Sequence, residues 1–154
     1  MKEILQQLRI LHIAFTAMVI LIGVMFHFIL LPTIEAENNA IEDNFIFQIV
    51  VVLMAIGSTA FIKVVTPKLL LNAQNQTDLQ GKLEAYKGTF IIKMAVLEGV
   101  AMASLVFYLL TSKSFYASMA TVWLILLILQ RPTPQNIAQE LKLSDKERKD
   151  LMQN

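Results

Sequence analysis

Most of the chemical potential of this sequence sits in one acidic residue. Glu98 stands eight positions into an apolar run that begins at Phe90, roughly 12 Å from the polar end of that run at 1.5 Å of rise per residue. An acid at such depth in lipid costs roughly 2.5 to 3.5 kcal/mol even on insertion scales, so it is expected to face the protein interior and to be neutralised or paired. Counted from the same membrane face, Thr16 of the first apolar run, Ser58 and Thr59 of the second and Thr121 of the fourth lie at its level. Their hydroxyls can accept from a protonated acid or donate to a carboxylate. The expectation is a polar layer that handles a proton or an ion, or else a structural cross-link from Glu98 to Ser58 or Thr59.

Beside Glu98, the residues Ala95, Gly99 and Ala103 recur every four positions. This small-xxx-small pattern lets membrane helices approach closely, so it reads as a packing seam within the bundle or between copies. Lys93 lies on a different face of the same helix and is expected to snorkel to water.

The histidines offer a different chemistry. His12 and His27 lie near opposite ends of one apolar run and on the same half of its surface, an arrangement compatible with two stacked b-type haem sites in which methionines supply the second axial ligands. The plainer expectation is that both are interfacial and hydrogen-bond to Gln48, Tyr108 or lipid headgroups. No cysteine is present, which excludes disulfides, thiolate catalysis and iron–sulfur ligation. Neither a glycine-rich phosphate loop, nor clustered metal-ligand spacing, nor a nucleophile with a nearby base is found. The chain is therefore expected to be no enzyme and to hold no metal.

The elements that must position these residues are apolar. Hydrophobic residues make up 56% of the 154 and charged ones 16%, a balance that a water-exposed surface does not fit and a lipid one does. Net charge is +1, with signs mixed along the loops, so nucleic acid is not expected as a partner. Four runs, Ile10 to Leu31, Phe45 to Val65, Phe90 to Thr111 and Phe115 to Gln130, approach the roughly 20 residues that a bilayer requires. The first is longer than a signal-peptide core and has no small-residue cleavage pattern behind it, so it reads as a retained span. The fold predicted is an all-α membrane protein, a four-transmembrane-helix bundle over residues 1–131, with an amphipathic cytoplasmic tail over 132–154.

If the chain crosses four times, Lys2, Arg9, Lys63, Lys68, Lys82, Lys87, Lys93, Arg131 and the basic residues of the tail share one side and Lys113 stands alone opposite. The positive side is cytoplasmic, which places both termini there. The loop from Pro32 to Asn44, acidic through Glu35, Glu37, Glu42 and Asp43, falls outside. Pro67 and Pro132 are expected to end the second and fourth helices. Thr133 before Pro134 reads as a helix N-cap, and Ser144 with Glu147 as a capping box, in a solvated tail lying along the bundle or the membrane surface, or else in a partner-binding helix through which the chain acts as a structural or assembly factor. A weak repeat sets His12, Ala14, Phe26 and Phe28 opposite Lys93, Ala95, Phe107 and Leu109, as two duplicated hairpins would.

The stretch Ala95, Val96, Leu97, Glu98, Gly99 with Leu105, Val106 and Leu109, and the tail residues Arg131, Pro132, Thr133 and Leu141 to Glu147, resembles a family of small four-span bacterial membrane proteins of uncharacterised activity. Val100 stands where that pattern has proline. The resemblance implies a bacterial inner-membrane fold and topology and no activity. More remotely, the setting of Glu98 is similar to the c-type proteolipid subunits of rotary ATPases, whose outer helix carries an ion-binding acid. Such subunits are richer in glycine than the second run here, which has Gly57 alone. The partners expected are the bilayer and further copies of the chain or other membrane subunits.

Overall fold

A computed structural model describes residues 2–36 and 45–153, and among these no strand occurs. Helix α1 spans Lys2–Met25, a π-helical turn follows at Phe26–Leu30, and α2 continues it over Leu31–Ala36. The first helix was expected to stop at Leu31, yet it runs through Pro32. Proline lacks the N–H that would bond to the carbonyl four residues back, and its ring crowds that carbonyl. Widening the preceding turn relieves both, with the Leu31 N–H reaching back to the Phe26 carbonyl. The acidic loop begins as helix at Pro32 and Thr33, and its residues 37–44 lie outside those described.

Helix α3 covers Phe45–Gln74 and passes through Pro67, where a break was expected. An interior proline costs roughly 3 kcal/mol. The two turns beyond it are nevertheless held, because Ala73 is fully buried and Gln74 donates to the Glu140 carbonyl at 2.7 Å. Helix α4, Leu79–Thr111, starts well before Phe90, with the Asp78 carboxylate accepting from the Gly81 N–H. It ends where Ser112 takes the left-handed conformation and its N–H bonds to Tyr108 O. Helix α5, Ser114–Leu129, follows at once.

Three helices, Lys2–Thr33 counted through its π turn, α3 and α4, are long and apolar enough to cross a membrane. A fourth crossing is available if α5 is taken with α6, Pro134–Glu140, to which it is bent by 89°. Helix α4 is the hub, with α1, α3 and α5 all packed on it and α1 also touching α5. Helix α3 buries only the narrow stripe Val51, Ser58, Thr66 and Ala73. Ile46, Leu53 and Ile56 on its other faces are exposed, a surface that only lipid or another membrane helix could cover.

The tail lies against the bundle. Ile137, Leu141 and, in α7 (Asp145–Gln153), Leu151 are at most 1% exposed. Thr133 caps α6 by accepting from the Asn136 N–H. Glu147 closes the capping box by accepting from both the N–H and the hydroxyl of Ser144. Two ion pairs fasten the tail to α4, Lys82 with Glu147 at 2.7 Å and Lys93 with Glu140 at 3.4 Å. Lys93 therefore meets a carboxylate of the tail where free snorkelling was expected.

Candidate functional site

Three contacts set how α1 lies on α4. Lys87 donates to Gln7 at 2.7 Å, Leu105 lies 3.6 Å from where a Cβ of Gly23 would be, and His27 shares a 2.8 Å hydrogen bond with Tyr108. Both partners advance together along the chain, so the two helices are parallel. One end of the molecule gathers the N-terminus, the α3–α4 connection and the docked tail. The other gathers aromatic rings, Phe47 on Phe107 at 5.2 Å and Phe107 on Tyr116 at 5.7 Å, near Lys113.

This register locates the acid. Glu98 stands about two turns before Leu105 and three after Lys87, spacings that return to the same face of a helix. It therefore faces α1, and Thr16, about two turns before Gly23, is level with it. Both are half-buried. The Glu98 Oε1 and the Thr16 hydroxyl are each shielded from the surface and without a hydrogen-bond partner among the described residues. Buried polar atoms are nearly always paired, so two orphans at one level of one interface call for a physical explanation.

The other members of the expected layer turn elsewhere. Ser58 and Thr59 both donate to the Ala55 carbonyl of their own helix, at 3.1 and 2.8 Å. Thr121 donates to Ala117 O at 2.8 Å and faces outward. Hydroxyls in apolar helices commonly satisfy themselves this way, by bonding to the carbonyl one turn back. Residue types and their spacing were legible in the sequence; which rotamer each hydroxyl takes was not.

The small-residue seam also lies open. Ala95 and Gly99 are exposed, Ala103 is half-buried, and a Cβ added at Gly99 or at Gly57 would meet nothing within 4 Å. Gly57, Ala95 and Gly99 line, with Met54, Ser58 and Phe61, a shallow groove between α3 and α4. At Gly57 and Gly99 the two helices do not approach closely within one chain.

Each histidine has a definite partner. The His12 Nε2–H donates to the Leu127 carbonyl at 3.0 Å in a buried setting, satisfying an acceptor in the last turn of α5. His27 leaves the π turn towards Tyr108, one of the partners expected for it. Among the described residues no cluster of three His, Asp or Glu side chains is placed to hold a metal.

A groove of about 360 Å³ that the sequence did not announce lies between α1, α4 and α5 and runs up to His27 and Tyr108. Its lining is mostly aliphatic, with Val24, Leu105 and Leu124 among its walls. Its one advance signal was Pro32, which follows closely on the wide turn that carries the histidine. No family model, curated protein or solved structure matches the chain.

Proposed function

We propose that this chain is a non-enzymatic four-helix subunit of a bacterial inner membrane, with both termini in the cytoplasm, in which Glu98 exchanges a proton or a small cation across the α1–α4 interface. The observation that carries the reading is the pair of shielded, unpartnered oxygens, Glu98 Oε1 and Thr16 Oγ1, at one level of two parallel apolar helices. A carboxylate oxygen without a donor invites either a proton or a cation, and the hydroxyl opposite supplies a second oxygen. Exchange at that site couples to how α1 sits on α4. The open Ala95–Gly99 seam supports assembly with further copies or with other membrane subunits, and membership of the small four-span bacterial family belongs to the same proposal.

Two other readings have less behind them. A haem on His12 would have to displace the hydrogen bond to Leu127. An assembly role for the tail would need an exposed apolar face, whereas Ile137, Leu141 and Leu151 are turned inward.

Infrared difference spectroscopy of the full chain in lipid tests the site. A carboxylic C=O band whose intensity follows pH or sodium concentration, and which is missing in Glu98→Gln, is the expected result. A band indifferent to both, or one that survives the substitution, would leave Glu98 as a structural side chain only.

A further inference from the structure

The His27–Tyr108 pair and the groove beneath it form one site with two unlike ends. The groove is walled by Gly23, Val24, Leu105 and Leu124 among others and is open to its surroundings. Its volume of about 360 Å³ falls in the range of small-molecule sites, roughly 300 to 1,000 Å³. Where α1, α4 and α5 lie in a bilayer, whatever fills it comes from the acyl region and has to be apolar.

The far end is polar. His27 is presented by a π-helical turn, a feature found disproportionately at functional sites. Its Nδ1 is held by the Tyr108 hydroxyl at 2.8 Å, and its ring lies nearly parallel to that of Tyr108, at 20°. Fixing one nitrogen fixes the ring, and His27 is exposed, so Nε2 remains available to a visitor. The pair sits at the aromatic end of the molecule, one turn below the helix that begins at Leu31. In the proposed span that end lies towards the ester and phosphate oxygens, where amphipathic rings collect in membranes.

We infer that this groove holds one glycerolipid of the outer leaflet, an acyl chain lying along Gly23 and Leu124 and an ester or phosphate oxygen bonded to His27. The inference rests on the membrane-embedded part of the proposed function and on its orientation, and not on proton or cation exchange at Glu98. A slot open to the bilayer along its length admits a chain by lateral diffusion, with no gate to move. A ligand apolar throughout would leave the histidine nitrogen without a partner in lipid.

The test uses the full chain in nanodiscs of phosphatidylcholine doped with a phosphatidylcholine whose acyl chain bears a diazirine. After photolysis, adducts mapped by mass spectrometry should concentrate severalfold on the segments of Val24, Phe28 and Leu124 over exposed positions of α3 such as Ile46 and Leu53. Val24→Trp, which fills the slot from an exposed position, should remove that excess; Val24→Ala, which keeps the slot open, should retain it. His27→Phe should reduce it, and Glu98→Gln should leave it in place. Even labelling of groove and α3, or an excess that survives Val24→Trp, would mean only the ordinary lipid annulus and overturn the inference. Displacement of the label by a short-chain benzoquinone would overturn the assignment to a glycerolipid.

Discussion

His27 and Tyr108 are 81 residues apart in the chain and 2.8 Å apart in space. The weak repeat in the sequence, which sets His12 opposite Lys93 and Phe26 opposite Phe107, has that same separation. Helices α1 and α4 thus pack side by side, in parallel and at the offset that relates their sequences, as the first helices of two duplicated hairpins would about an axis along the membrane normal. The second helices depart from that symmetry. Helix α5 packs on both α4 and α1, whereas α3 packs chiefly on α4. One consequence is the open strip of α4 around Ala95 and Gly99.

The histidine–tyrosine bond should contribute measurably to the α1–α4 contact. Tyr108→Phe and His27→Phe are each expected to cost about 0.5 to 1.5 kcal/mol, the usual worth of one hydrogen bond. The double variant should lose less than the two single losses added. Thermal melts of the four proteins in one detergent give the coupling, and a coupling of zero would show that the bond does not hold the outer ends together.

Acid should release the tail before it disturbs the rest. The hydrogen bond from Lys82 and those from Ser144 hold the Glu147 carboxyl at about 2, well below its ordinary 4.5. A depressed carboxylate adds stability that is fully present above its ordinary value and is lost as pH falls from about 4.5 towards 2;. The group is partly exposed, so screening limits the effect to below about 1 kcal/mol. Pepsin's own activity changes across that window, so α7 cleavage in the wild type is compared with that in Glu147→Gln at the same pH, and the ratio of wild type to variant should rise towards one as pH drops. A ratio that stays constant with pH would refute the linkage.

Apolar anchors should matter more to the tail than its ion pairs. Leu141 and Leu151 are each 1% exposed, and truncating a buried leucine to alanine costs about 2 to 5 kcal/mol. Either substitution is expected to expose the chain after Arg131 to trypsin at neutral pH, while Lys82→Met, which breaks a partly exposed pair, leaves most of it protected. The opposite ranking would make the tail an electrostatically held arm.

The long helices were legible because apolar runs of that length have few other stable outcomes. The caps at Thr133 and Ser144 were legible because capping is local, decided by residues three apart. What escaped depended on tertiary contacts. Pro67 reads as a stop until Ala73 and Gln74 are seen to be held by their surroundings. The first span reads as ending at Leu31 until the turn before Pro32 is seen to widen. For Glu98 a hydroxyl at its level on α1 was readable, but not that Ser58, Thr59 and Thr121 would turn back to their own helices.

Gly99 separates the stability of one chain from its assembly. A Cβ there meets nothing within 4 Å, so within one chain Gly99→Ala is free of steric cost and gains the roughly 1 kcal/mol by which alanine exceeds glycine in a helix. Gly99→Leu is expected to leave the melting temperature of the dispersed, single-chain form unchanged or slightly raised. If the seam joins copies of the chain, the same leucine keeps the backbones apart and shifts the detergent-solubilised protein towards monomer in sedimentation equilibrium. Glycine and alanine should then associate and leucine should not. Leucine that associates as well as glycine would place the subunit contact elsewhere, with the apolar outer faces of α3 as the next surface to probe.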